Sequence, residues 1–193
     1  MQWLGVNALY LGPIFESSQH GYDTKDFFKI DGRLGSNQTM KELSDEIHSR
    51  GMRLILDGVF NHTGREFWAF KDLLQFGRDS SYVNWYQGVD FNKNNPIDDG
   101  FYYETWNGYY QLPKLNLSHP PVIEHLLSAV KFWMDELHID GLRLDAADCV
   151  PLEFWKTLRM FTSSQNPDFW LMGEIIHGDY RLWANDEHLH STT

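Results

Sequence analysis

The chain has 193 residues, 42% of them hydrophobic, and a formal net charge of −11. That supports one sizeable core, while the acidic balance, with no basic run, excludes nucleic acid and anionic membranes as natural partners. A single cysteine, Cys149, excludes an intrachain disulfide and fits a reducing, cytoplasmic setting, and no stretch reads as a signal peptide or transmembrane span.

In chain order, Met1 to Leu4 reads as the end of a helix, as in a piece of a longer protein whose leader, if any, lies upstream. Gly5 to Leu11 is β-rich and almost all apolar, the pattern of a strand covered on both faces, and Gly12-Pro13 ends it. Glu16 to Arg33 reads as a loop carrying His20-Gly21-Tyr22-Asp23. A helix follows from about Gln38 to Arg50, with Met40, Leu43 and Ile47 on one face and Gly51 as its stop. The next strand, from Arg53, runs into Asp57, with Asn61 and His62 just beyond.

From Thr63 to Asn116 the periodicity degrades apart from Phe67 to Phe76, and a stretch this long reads as an inserted subdomain rather than a loop. Pro120-Pro121 opens a helix whose apolar stripe is Val122, Leu126, Val130, Trp133, Met134 and Leu137. Gly141 to Leu144 is a short strand delivering Arg143 and Asp145 to one side. A helix over about Pro151 to Thr162 turns Leu152, Trp155, Leu158 and Phe161 inward, and the strand Phe169 to Met172 delivers Glu174. Everything after Ile175 reads as loop and the start of a helix. The alternation predicts an α/β fold of four parallel strands, split as 1–62, 63–117 and 118–193, with the middle segment inserted.

Strand ends thus deliver Asp57, Asp145 and Glu174, with Arg143 and His62 beside them. Two carboxyls from different strands are the equipment of retaining glycoside hydrolysis: one ionised to attack, one protonated to donate. Arg143 next to Asp145 in sequence predicts a depressed pKa and a nucleophile. The apolar neighbours of Glu174, Met172 to Ile176, predict a raised pKa and an acid. Asp57 stands early and is expected to hold Arg143. A metal-dependent hydrolase built on Asp57, His62 and Asp145 lacks the usual ligand spacings.

The ordered set DGVFNH, GLRLDAA and GE resembles the first three active-site motifs of the α-amylase family, and LPKLN at Leu112 to Asn116 resembles the MPKLN signature of its neopullulanase, cyclomaltodextrinase and maltogenic amylase branch. After Asp145 the chain reads Ala-Ala-Asp-Cys, where that branch usually has Val-Ala-Asn-Glu. The resemblance implies a partial (β/α)8 TIM barrel, about strands 2 to 5, with a small insert after the third barrel strand that walls the cleft. It implies Asp145 as nucleophile and Glu174 as acid/base. Asp57 and Arg143 would form a supporting pair, His62 would donate to a sugar hydroxyl, and Tyr22 would stack on the sugar ring. Lys114, His119, Asp148 and His177 are candidates for more distant subsites, and Tyr102 to Tyr110 for a glucan-facing stretch of the insert. The implied partner is an α-glucan oligosaccharide, with a homodimer compatible in the full-length protein. No cofactor is required. Calcium stays open, with Asn61 as its ligand and Asp79, Asp90, Asp98 and Asp99 as available carboxylates. The family's fourth motif, an Asn/His-His-Asp, is not in this sequence, so the isolated chain is expected to turn over little. The alternative is an amylase-like binding or scaffold protein.

Overall fold

The computed structural model describes residues 2–193. Its strands are β1 (Ala8–Leu11), β2 (Phe15–Ser17), β3 (Thr24–Ile30), β4 (Arg53–Gly58), β5 (Thr105–Trp106), β6 (Tyr109–Pro113), β7 (Gly141–Leu144), β8 (Trp170–Gly173) and β9 (Ser191–Thr192). Its helices are α1 (Asn37–Ser49), α2 (Trp68–Phe76), α3 (Pro120–Glu136) and α4 (Leu152–Gln165). The main sheet runs β1-β4-β7-β8-β9, every neighbouring pair parallel. The fold is α/β with a parallel sheet, as expected. It carries a fifth strand, β9, within the tail that the sequence suggested was loop and helix start.

One face of this sheet is the core. Leu54, Leu56, Leu142, Leu144 and Leu171 are each 0% exposed, and alternation turns them all toward the helices. Trp133, Val130 and Leu126 of α3 and Trp155, Phe154 and Leu158 of α4 meet them there. Each such Leu contributes roughly 1.5–3 kcal/mol of burial. The opposite face is open. Ala8 and Tyr10 of β1 and Trp170 of β8 are exposed, so β1 is not covered on both sides as its apolar composition suggested.

The stretch Glu16 to Arg33 is not a loop. It holds the antiparallel β2–β3 hairpin, whose register shifts around Glu16. Charged Glu16, Lys25, Asp26 and Lys29 obscure its alternation, while Phe15, Phe27 and Ile30 anchor it in the core. Ser36 caps α1 in a reciprocal box with Thr39. The buried face of α1 is Met40, Ser44 and Ile47, and Leu43 is exposed. Ser44 fits because its hydroxyl donates to the His138 carbonyl at 3.2 Å. Between β4 and α3 the chain forms α2, the β5–β6 hairpin and short turns packed by Phe70, Tyr86, Phe101 and Tyr103. Among the described residues no helix is long and apolar enough to cross a membrane.

Candidate active site

The site lies where β4, β7 and β8 end. These strands run parallel and in register, Asp57 beside Arg143 and Arg143 beside Met172, so their last side chains emerge at one end of the sheet. In open and closed α/β sheets alike, that carboxyl end is where ligands are bound.

Arg143 is the hub. Its Nη1 donates to Asp57 Oδ1 at 2.9 Å and to Asp145 Oδ1 at 3.0 Å, and its Nη2 pairs with Glu174 Oε1 at 2.8 Å. One guanidinium therefore holds three carboxylates that arrive from three strands. Asp57 lies inside β4, its side chain 0% exposed, and takes a further bond from the Tyr10 hydroxyl at 2.7 Å. Glu174 Oε2 accepts the Ala146 N–H at 2.9 Å. Ala146 donates that bond from a left-handed conformation, φ 44°, which turns the backbone sharply just after Asp145.

The electrostatics differ from the sequence reading. Asp145 is not held low by Arg143. Burial pushes its carboxyl up to about 7, the charges of Asp57 and Glu174 add to that, and Arg143 opposes without prevailing. Arg143 is shared, and Asp57 takes two of its contacts. Burial likewise raises Asp57, against the bonds from Tyr10 and Arg143. Burial works against the charge on Arg143, but its bonds to Asp57 outweigh it and keep the guanidinium protonated. Glu174 does not sit in an apolar setting: its two oxygens face Arg143 and the Ala146 N–H.

These groups border a cavity of about 400 Å³ lined by His20, Tyr22, His62, Trp106, Tyr109, Leu112, Arg143, Asp145 and Glu174. The structure thus brings together Asp145, Glu174, Arg143, His62 and Tyr22, with Asp57 directly behind Arg143. Gly64 helps, because a side chain there would collide with the Asp23 carbonyl. Its absence lets the segment after β4 lie against the hairpin bearing Tyr22, and Gly64 N donates to Thr24 O at 2.9 Å. His62 is 1% exposed, and burial lowers its pKa to about 4. Burial also raises Tyr22.

Lys114, His119, Asp148 and His177 do not line the cavity. Of Tyr102 to Tyr110, Trp106 and Tyr109 do, their rings stacked at 5.7 Å. Tyr103 is instead buried, donating to Asp99. Sequence reasoning missed His20 and Leu112 as lining residues and Tyr10 as a partner of Asp57. The alternation of β1 held the signal for Tyr10, since it points away from Leu9 and Leu11.

The residues weighed for calcium do not converge. Asn61 Oδ1 is a buried oxygen without a partner. However, Asp99 is bonded to Arg65, Tyr103 and Asn95, and Asp90 is occupied by Asn92 and Lys93. Among the described residues no group of three or more His, Cys, Asp or Glu is placed to hold a metal ion. Asp90 and Asp99 are thus engaged by other side chains.

Comparison with known proteins matches this geometry to a family. Cyclomaltodextrinase from Bacillus sp is 43% identical over 188 residues, covering 95% of this chain and 33% of that protein. Neopullulanase 2 from Thermoactinomyces vulgaris is 44% identical over 179 residues, covering 92% of this chain and 30% of that protein. The ligand-free cyclic alpha-maltosyl-(1→6)-maltose hydrolase from Arthrobacter globiformis superposes with a TM-score of 0.89 at 38% identity, covering 98% of this chain and 42% of that one. The chain spans about a third of the length of the curated relatives it matches. The model of the alpha amylase catalytic domain matches residues 1–193, and the chain belongs to the alpha-amylase family.

Proposed function

We propose that this chain supplies the nucleophile and the acid/base of a retaining glycoside hydrolase acting on α-glucosidic bonds of maltooligosaccharides or cyclomaltodextrins. The observation that carries the reading is the single guanidinium of Arg143 holding Asp145 and Glu174 side by side at a sugar-sized cavity. Retaining chemistry needs two carboxyls about 5–5.5 Å apart, one attacking the anomeric carbon and one giving its proton to the leaving oxygen. Three carboxylates around one arginine carry more negative charge than it offsets, so the cluster favours retention of one proton. Asp145, pushed up to about 7 by burial, attacks in its ionised form.

Tyr22 and the Trp106–Tyr109 pair provide flat apolar faces for sugar rings, and His62 offers a hydrogen bond from the cavity wall. The parallel strands are read as one arc of a (β/α)8 barrel, with 63–117 as the insert that brings Trp106 to the cleft. The relatives' names, cyclomaltodextrinase and neopullulanase, support cyclomaltodextrins and pullulan-type α-glucans as the substrate class.

The test is hydrolysis of a maltooligosaccharide and a cyclomaltodextrin by the protein expressed from its complete reading frame. Asp145→Asn and Glu174→Gln each lower kcat by about 10³-fold or more, and NMR of the first product shows retained anomeric configuration. Full turnover by either variant, or inversion, overturns the proposal.

A further inference from the structure

Asn61 and His62 are each 1% exposed, and each keeps one buried atom without a partner, Asn61 Oδ1 and His62 Nε2. Their backbone is clamped. Leu115 N donates to Asn61 O at 3.0 Å, Thr63 N donates to Pro113 O at 3.1 Å, and His62 bridges Lys114. Neither side chain can shift far without opening the segment that follows β6. Within that clamp Asn61 Nδ2 lies 3.1 Å from His62 Nδ1, while the ring borders the cavity and has Trp106 at 6.0 Å.

We propose that Asn61 is a positioning residue whose carboxamide N–H donates to His62 Nδ1 and so fixes the ring proton on Nε2, the nitrogen that the closed cavity wall leaves without a partner. A neutral imidazole has one donor and one acceptor nitrogen, and the partner of one decides the other. The ring is held neutral by burial, against a hydrogen bond to the Tyr22 backbone, with His20 and Asp23 the titratable side chains that act on it. The assignment gives Asn61 a task that needs no cation. The tautomer stands whether or not the protein cleaves sugars.

The experiment reads the tautomer directly. The chain is labelled with ¹⁵N-histidine, its long-range ¹H–¹⁵N spectrum is recorded at neutral pH, and His62 is assigned from the signals lost in His62→Gln. The expected native result is a protonated Nε2 and a bare Nδ1. In Asn61→Asp the carboxylate can only accept, so Nδ1 becomes protonated. A native His62 carrying its proton on Nδ1 overturns the inference even if the variant does not fold. An unchanged tautomer in folded Asn61→Asp also overturns it. Thermal unfolding in calcium chloride and in EDTA is expected to give the same midpoint, and a calcium-dependent rise that Asn61→Leu abolishes would return Asn61 to the role of cation ligand and overturn the proposal. Loss of activity in Asp145→Asn is read separately and does not bear on the tautomer.

Discussion

Two half-buried arginines organise this molecule, and they are built on different accounts. Arg65 donates to both oxygens of Asp99 and to the Tyr103 hydroxyl, and Asp99 also accepts from Asn95 and Tyr103. One cation meets one anion, and the remaining acceptor capacity is filled by neutral donors. Arg143 meets three anions and borders an open cavity. At Asp99 burial would raise the pKa, but the bonds from Arg65 and its neighbours win and lower it. At Asp145 burial wins and raises it. Similar residue types therefore titrate in opposite directions. Depth of burial and charge balance together separate the scaffold arginine from the one at the site.

The contrast can be broken most forcefully at Arg65. Arg65→Met leaves Asp99 buried without its cation and is expected to lower stability by about 3 kcal/mol, read by urea unfolding of the chain. A change near zero would show that the Arg65 cluster is not the closed structural pair described. The Asp145 side sharpens the comparison through pH. Its folded pKa, about 7, lies above the unfolded carboxylate value, so the folded state binds the extra proton between them. Native stability falls as pH rises across that window. Asp145→Asn removes the penalty, giving a gain on the order of 2 kcal/mol above neutral pH that fades as pH drops toward about 4. Asp99, lowered in the fold, has the opposite sign: its contribution is present above the unfolded pKa and disappears as pH falls through the folded one. A pH-independent effect of Asp145→Asn would remove the difference between the clusters. The smallest effect is at Tyr10. Tyr10→Phe takes one donor from Asp57 and is expected to reduce stability by about 1 kcal/mol in the same unfolding assay.

Much of this was legible in the chain. Apolar runs ending in Asp57, Asp145 and Glu174 mark the strand ends, and the two-residue spacing of Arg143 and Asp145 puts both on one side. The helical stripes of α3 and α4 read correctly in their buried positions Val122, Leu126, Val130, Trp133, Trp155 and Leu158. What did not read was whatever depended on a neighbour from another strand. Asp145 was weighed against its near neighbour Arg143, while Asp57, which competes for that cation, arrives across the sheet. Glu174 looked apolar because its cation stands on β7. Charged Lys25, Asp26 and Lys29 hid the second hairpin, and the all-apolar look of β1 hid the one polar group it sends to the site, the Tyr10 hydroxyl. Ser44 on the buried face of α1 is legible only once the His138 carbonyl is seen to receive it.

The left-handed Ala146 links the two carboxyl-bearing strand ends through main chain alone. Its φ of 44° is a conformation that an alanine adopts at an expense of roughly 1–2 kcal/mol. A residue relaxed into ordinary extended or helical geometry would withdraw the amide now received by Glu174. The mutual placement of Asp145 and Glu174 is thus set by a peptide plane as well as by the flexible arginine, and it survives side-chain motion that the guanidinium by itself could not resist.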